Sequence, residues 1–383
     1  MSGSHRHLRI SYTGDKTSRH EHAVILGFAM LYKADASETA LPNAAAGRSL
    51  LAQHRPDIIQ RLEACIQSVA GSANVEKYLD ATLLGTARLG LRHGSFGSDF
   101  HHYHNEGHIL DLAERRLGRI IEFCGVAAMP AQDWLSLILF AACHDLRQRE
   151  TKAAPGPVGG NEAASIAETF RILKVCGFDR KKDRADFVAM EMMIAGSTFD
   201  PRLTRINTDT SNLTGGAFSR SIGLWLDGLK PAWREDHDAT RGERLGRLAA
   251  DIDTANVGES FDLLGQSALQ LAQEQLMRRG LNPEQAESAQ PALNFLSNGQ
   301  QHYFFDLHRF SSREADRVFG PQKLANSDKV RKTSAALIAH FQKHPADNGR
   351  SVMSVFESLC NRPEGKKKPI HKESACSRPG DGR

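Results

Sequence analysis

Long apolar runs are missing from this chain of 383 residues. The two most prominent, Ala23–Tyr32 and Trp134–Cys143, fall well short of the roughly 20 residues a membrane-spanning helix needs. No clean small-residue cleavage site follows the first, so a secretory leader is not expected. Cysteine is sparse: there are six, and no two form a C-x-x-C pair. That excludes a disulfide-stapled framework and a cysteine-type zinc knuckle, and it favours reduced thiols in a cytoplasmic protein. Aromatic residues make up only 7% of the chain. Alternating strand patterns are few, and there is no internal repeat. Net charge is small as well, at +4. From Pro363 onward six basic residues stand against three acidic ones, which leaves +1 for residues 1–362. A body so close to neutral gives no signal for nucleic-acid binding, and the Lys-rich end reads as a solvated tail.

What is present is helical periodicity. Hydrophobic content is 40%, enough for one large packed unit or two ordinary ones. Leu51, Ile58, Ile59, Leu62 and Ile66 recur at three- and four-residue spacings, as do Val75, Tyr78, Leu79, Leu83 and Leu84. Further helices are expected over residues 105–122, 132–146, 161–175, 184–196, 241–256, 259–279, 285–298 and 326–343. The stretch 132–146 is apolar nearly all round, hence central. Residues 153–160, rich in Gly and Pro, break regular structure. Residues 200–240 read as an insertion or lid with some short helix. The fold class is therefore all-α. The expected organisation is a poorly ordered extension over 1–48, a helical domain over 49–345 with its motifs between 90 and 260, and a basic tail over 346–383.

Two motifs carry chemistry. His144-Asp145 closes the most central apolar helix, where burying an imidazole or a carboxylate costs several kcal/mol unless it is paired or metal-bound. Upstream, Tyr103-His104-Asn105-Glu106-Gly107-His108 places two histidines at i and i+4, on one helix face. Together they offer three nitrogens and a carboxylate, a set suited to a divalent transition metal. His93, His101 and His102 crowd the same segment.

This joint pattern resembles the HD superfamily of metal-dependent phosphohydrolases, named for the pair matched here by His144-Asp145. Tyr103-His104-Asn105 followed by His108 is similar to the signature of cyclic-nucleotide phosphodiesterases. Asn161-Glu162-Ala163-Ala164-Ser165 and Ala249-Ala250-Asp251-Ile252-Asp253 look closer to uncharacterised bacterial members of the superfamily. The resemblance covers roughly residues 90–260 and implies a helical bundle. It implies His108, His144 and Asp145 as metal ligands, closed by an aspartate on a later helix; Asp251 fits best and Asp253 competes. It implies His104 as the general acid, with Asn105 and Tyr103 supporting the site and Tyr103 close to substrate. Glu162 would orient His104 or a water, or be an ordinary first-turn helix acid.

There are departures from the phosphodiesterase pattern. Leu146-Arg147-Gln148-Arg149 follows the His-Asp pair in place of a further histidine. Arg147 and Arg149 either bind substrate phosphate or sit favourably at a helix C-terminus. Gln300 or Gln301 stands where a purine-gripping glutamine is sought. The resulting expectation is a hydrolase of a nucleotide or related phosphate ester, with a diester favoured over a monoester. It would use a divalent ion (Mn, Mg, Fe, Zn or Ni). The alternative is an HD scaffold serving as a nucleotide-binding or regulatory module, conceivably a bacterial effector.

Overall fold

Helix follows helix along the described residues, broken among them by one two-stranded hairpin. The computed structural model describes residues 32–71, 75–153, 156–205 and 213–361. The all-α expectation holds.

Four helices open the described chain: α1 (Ala36–Ala40), α2 (Ala44–His54), α3 (Pro56–Val69) and α4 (Glu76–His93). Asp35 and Asn43 cap α1 and α2, accepting from the amides of Glu38 and Ala46, and Pro56 starts α3 where a missing N–H costs nothing. The buried stripe of α3, Ile58, Leu62, Ile66 and Val69, follows the i, i+4 rule. Next come α5 (Glu106–Leu110), a wider π turn over Asp111–Arg116, and α6 (Leu117–Cys124). These three are continuous, matching the single helix expected over 105–122. Helix α7 (Ala131–Cys143) is buried nearly throughout. Helices α8 (Gly160–Val175) and α9 (Arg184–Ser197) follow, then strands β1 (Phe199–Arg205) and β2 (Leu213–Ala217), paired antiparallel. Helices α10 (Ile222–Leu229) and α11 (His237–Asp253) lead back into the core. The described residues end with α12 (Phe261–Arg278), α13 (Ala289–Asn294), α14 (Arg313–Lys343) and α15 (Gly349–Cys360).

Close helix contacts set the positions that matter. A Cβ on Gly85 of α4 would lie 3.0 Å from the Ala142 carbonyl oxygen and Cys143 Sγ, so α4 rides directly on the end of α7. A Cβ on Gly246 of α11 would lie 2.9 Å from the Met192 oxygen, which lets α11 lie backbone to backbone on α9. The main apolar core joins α2 to α11. A second, smaller core is built from α12, α13, α14 and α15, with Leu276, Leu296, Leu337, Val352 and Phe356 at its centre.

The expected boundaries move outward at both ends. Residues 35–48 belong to the folded body, because Glu38 on α1 is buried in an ion-pair web. Residues 349–360 form α15 and pack into the second core. The expectations for 1–31 and 362–383 fall outside the described residues. Helix α14 starts thirteen residues earlier than expected, at Arg313. Pro321 reads as a stop, but it lies on the exposed side of the helix, where water can serve the carbonyl its ring leaves unbonded. No described helix is long and apolar enough to cross a membrane. The five described cysteines are free.

Candidate metal centre

Three separate helices bring four donor atoms together. His108 comes from α5, which Asn105 caps by accepting from the Gly107 amide at 2.8 Å and anchors by donating to the His101 carbonyl at 2.6 Å. His144 and Asp145 come from the end of α7, and Asp253 is the last residue of α11. His108 Nε2 lies 3.1 Å from Asp253 Oδ1 and 3.8 Å from Asp145 Oδ2. His144 Nε2 lies 2.9 Å from Asp145 Oδ2 and 3.5 Å from Asp253 Oδ1. Donors held about 2.0–2.2 Å from a common ion are separated by about 3.0–3.5 Å; the four distances here, 2.9–3.8 Å, lie around that range.

The tautomer of His144 follows from its surroundings. Its Nδ1 faces the carbonyls of Phe140 and Ala141 at 3.2 and 3.3 Å, which marks it as the N–H and leaves Nε2 with the lone pair. That Nε2 and Asp145 Oδ2 are both buried, and neither makes a hydrogen bond despite their proximity. The other Asp145 oxygen is occupied, accepting from Gln148 Nε2 at 2.7 Å. Buried polar atoms almost always find partners; two orphans aimed at one point fit a metal ion as the missing partner.

Charge leads to the same fit. Burial opposes ionisation of Asp145, but His144 and His104 hold its carboxyl down at about 2. Burial likewise opposes Asp253, and contact with His108 and His144 holds it well below the carboxylate range. His144 is lifted well above the ordinary imidazole value because the two aspartates outweigh burial. Burial instead wins at His108, which is lowered. Among the described residues no Lys or Arg pairs with Asp145 or Asp253; their ion-pair partners are the histidines. At ion-pair distance the two carboxylates are answered only by imidazoles, whose protons a divalent ion can replace.

Asp251 is not in this cluster. Its carboxylate accepts from the Ser311 and Ser312 amides at 2.6–2.9 Å and from both hydroxyls, tying α11 to the start of α14. Burial outweighs these bonds and pushes its carboxyl up to about 6. Asp253 takes the place expected for Asp251. Two residues along a helix rotate the side chain by more than half a turn, and Ala249 through Ile252 are all buried, so burial pattern alone could not fix which face meets α5 and α7.

His104 lies beside the cluster rather than in it. Its Nε2 is 3.9 Å from Asp145 Oδ2, and its Nδ1 is 2.6 Å from Glu274 Oε1. Burial lowers its proton affinity, but the charges of Asp145 and Glu274 raise it more. Glu274, on α12, went unnoticed in the sequence. It also accepts from the Tyr103 and His104 amides, both at 3.2 Å, and from Arg278 at 2.7 Å. Arg278 in turn donates to Gln148 Oε1 at 2.6 Å. A closed chain of polar contacts therefore runs Asp145–Gln148–Arg278–Glu274–His104. Its only sequence trace is the i, i+4 pair Glu274/Arg278, which looks like any helix-surface pair. Arg116, also unforeseen, is fully buried and donates to the Ile252 and Asp253 carbonyls, fixing the end of α11.

The other expected residues divide. Glu162 is felt by the cluster through space: burial pushes it up and its own backbone amide lowers it, while the field of Asp145 raises it and those of His104 and His144 lower it. Tyr103 is a buried wall, not a substrate contact. Its ring packs 4.4 Å from the His108 ring centroid, and its buried hydroxyl interacts electrostatically with the Arg116 guanidinium. Arg147 is withdrawn from substrate because it is buried against Glu150, Glu38 and Glu168. Arg149 pairs with Asp99. Gln300 lines a cleft with Phe261, Leu264, Phe356 and Cys360, a set that includes no residue of the cluster. Comparison of the chain with family models, with curated proteins and with solved structures yields no match in any of the three.

Proposed function

We propose that this protein is a metal-dependent phosphohydrolase of the HD type, acting on a nucleotide or a related phosphate ester. The observation that carries the reading is the convergence of His108, His144 and Asp145, with Asp253 beside both histidines and with His144 Nε2 and Asp145 Oδ2 left without a hydrogen-bond partner. A divalent ion held there would supply Lewis-acid polarisation of a phosphoryl oxygen and would ready a water for attack at neutral pH.

The chain's own residues supply the remainder. Water adds its oxygen to phosphorus, the ester P–O bond breaks, and the departing oxygen needs a proton. His104 is suited to give it. Glu274 holds its Nδ1 at 2.6 Å, which directs Nε2 toward the cluster and stabilises the imidazolium before transfer. Arg278 and Gln148 keep Glu274 and Asp145 in fixed relative positions. In this reading Glu162, which feels the charges of Asp145, His104 and His144, takes up the proton that the attacking water loses.

The test pairs metal content with turnover. The full chain, loaded with Mn, Mg, Fe, Zn or Ni, should retain stoichiometric metal and hydrolyse bis-p-nitrophenyl phosphate or p-nitrophenyl phosphate. Which of the two it prefers separates diesterase from monoesterase. A protein that binds metal and a nucleotide but cleaves neither ester, under any of the five ions, would be a regulatory scaffold instead.

A further inference from the structure

The loop between α4 and α5 carries a second group of donors that the proposed reaction does not use. His93 ends α4, and Asp99 and His101 lie in the loop. Asp99 Oδ2 is 3.3 Å from His93 Nδ1 and 3.2 Å from His101 Nε2. These are again the separations of donors sharing one ion at about 2.0–2.1 Å. Both imidazoles are buried, at 2% and 0% exposure. Neither ring nitrogen of His93 has a hydrogen bond, although a neutral imidazole carries one donor and one acceptor. An unpartnered histidine inside the fold is costly unless something else engages it.

The surroundings are those of a ligand set. His101 Nδ1 faces Glu274 Oε1 at 3.3 Å, so the ring presents Nε2 to Asp99 with a carboxylate behind it, the arrangement that orients metal-bound histidines. Asp99 is held from outside by Arg149, at 2.6 Å to Oδ1 and 3.0 Å to Oδ2. The backbone is prearranged too: the His101 amide donates to the His93 carbonyl at 2.8 Å. Asp99 remains 39% exposed, which leaves a path for an ion from solvent.

We propose that His93, Asp99 and His101 form a second divalent-metal site that pins the 94–105 loop to the end of α4. Two imidazoles and a carboxylate favour a borderline transition ion such as Zn2+ over Mg2+ or Ca2+. The site is structural: it braces the segment that presents His104 and Asn105, and it shares Glu274 with His104 through His101.

The experiment must separate this site from the first. In a His144→Ala background, the full chain stripped with chelator and titrated with Co2+ should take up one equivalent and develop visible d–d absorption. Titration with Zn2+ should raise its Tm. Adding Asp99→Asn should abolish the equivalent, the absorption and the Tm response together, while circular dichroism reports an unchanged fold. An Asp253→Asn background repeats the test should His144→Ala fail to fold. Failure of the folded His144→Ala or Asp253→Asn chains to bind any Co2+, or uptake that survives when Asp99→Asn is added to those backgrounds, overturns the proposal. Wild-type and Asp99→Asn chains are counted alongside; an ion retained by Asp99→Asn reports the first site, so the two readings stand or fall separately.

Discussion

The buried polar cluster around Glu168 and the one around His144 differ in whether they are complete. The first gathers Asp35, Glu38, Glu150 and Glu168 around Arg88, Arg92, Arg147 and Arg171. Four carboxylates meet four guanidiniums, with ion pairs such as Arg92–Asp35 at 2.8 Å and Arg171–Glu38 at 2.6 Å. Three of the acids, Asp35, Glu38 and Glu168, come close enough to resemble a cation site, but the arginines already fill that role. The second cluster, around His144, has two carboxylates answered at ion-pair distance only by imidazoles, and unbonded buried nitrogen and oxygen atoms. Burial of charge is common to both. Incompleteness belongs only to the second, and it marks a place built for something the chain does not itself provide.

The sharpest way to break this contrast is at α11, where one aspartate of each kind sits two residues apart. Asp253→Asn or His144→Ala should lose the ion held at the His108–His144–Asp145 centre, and hydrolysis should fall to background in the ester assays. Asp251→Ala should keep metal and turnover per folded molecule. It strands the Ser311 and Ser312 amides, so urea melts should show it less stable by about 1–3 kcal/mol. Metal loss in the Asp251 variant with retention in the Asp253 variant would exchange their roles. Next in size is His104→Ala, which removes a proton donor but no ligand. Metal content should be unchanged and the rate should drop by about two to four orders of magnitude. Loss of metal with activity would make His104 a ligand.

The complete cluster should respond in stability, not chemistry. Glu168 is fully buried among Arg88, Arg92 and Arg147. Glu168→Ala leaves those charges uncompensated and should cost about 3–5 kcal/mol by denaturant melt, with activity per folded molecule intact. Glu274 sits between the two behaviours. Glu274→Gln keeps the shape but removes the charge behind His104, and a rate loss of about 10–100-fold at constant metal content is expected. Removing that charge lowers the proton affinity of His104, so the loss should grow as pH rises. A loss independent of pH would reduce Glu274 to a packing role.

How much of this was legible depended on sequence separation. The helices announced themselves through i, i+4 spacing, and His104, His108, His144 and Asp145 through local motifs on two of them. What stayed hidden was set by tertiary register. Nothing local distinguishes Asp251 from Asp253 when Ala249 through Ile252 are all buried and Asp253 is only partly exposed. Glu274 lies 170 residues from His104, and before folding it looks like one acid on an amphipathic helix. Arg147 misled for the complementary reason: an arginine after a ligand suggests phosphate, yet its partners Glu38 and Glu168 come from α1 and α8, which folding alone brings to it. The segment before residue 48 looked dispensable because α1 and α2 bury few apolar side chains. They earn their place through the charges of Asp35 and Glu38.

The smallest effect sharpens the contrast at the rim of the complete cluster. Asp35 is partly exposed, and burial disfavours its charge. The hydrogen bond and charge of Arg92 prevail, with help from the Glu38 amide and Arg147, and hold the carboxyl at about 2, below its ordinary 3.8. A carboxyl lowered by folding stabilises the native state above the unfolded value. That contribution is fully present above about pH 4 and is lost as pH falls through about 2. Solvent screening at a partly exposed pair trims it to about 1 kcal/mol. Asp35→Asn should therefore lower stability by about that much at neutral pH, measured by urea melts, and the difference from wild type should vanish at the acid end. A gap that persisted below pH 2 would mean that Asp35 acts through its cap on α1, where the Glu38 amide donates to it at 3.0 Å, and not through its charge.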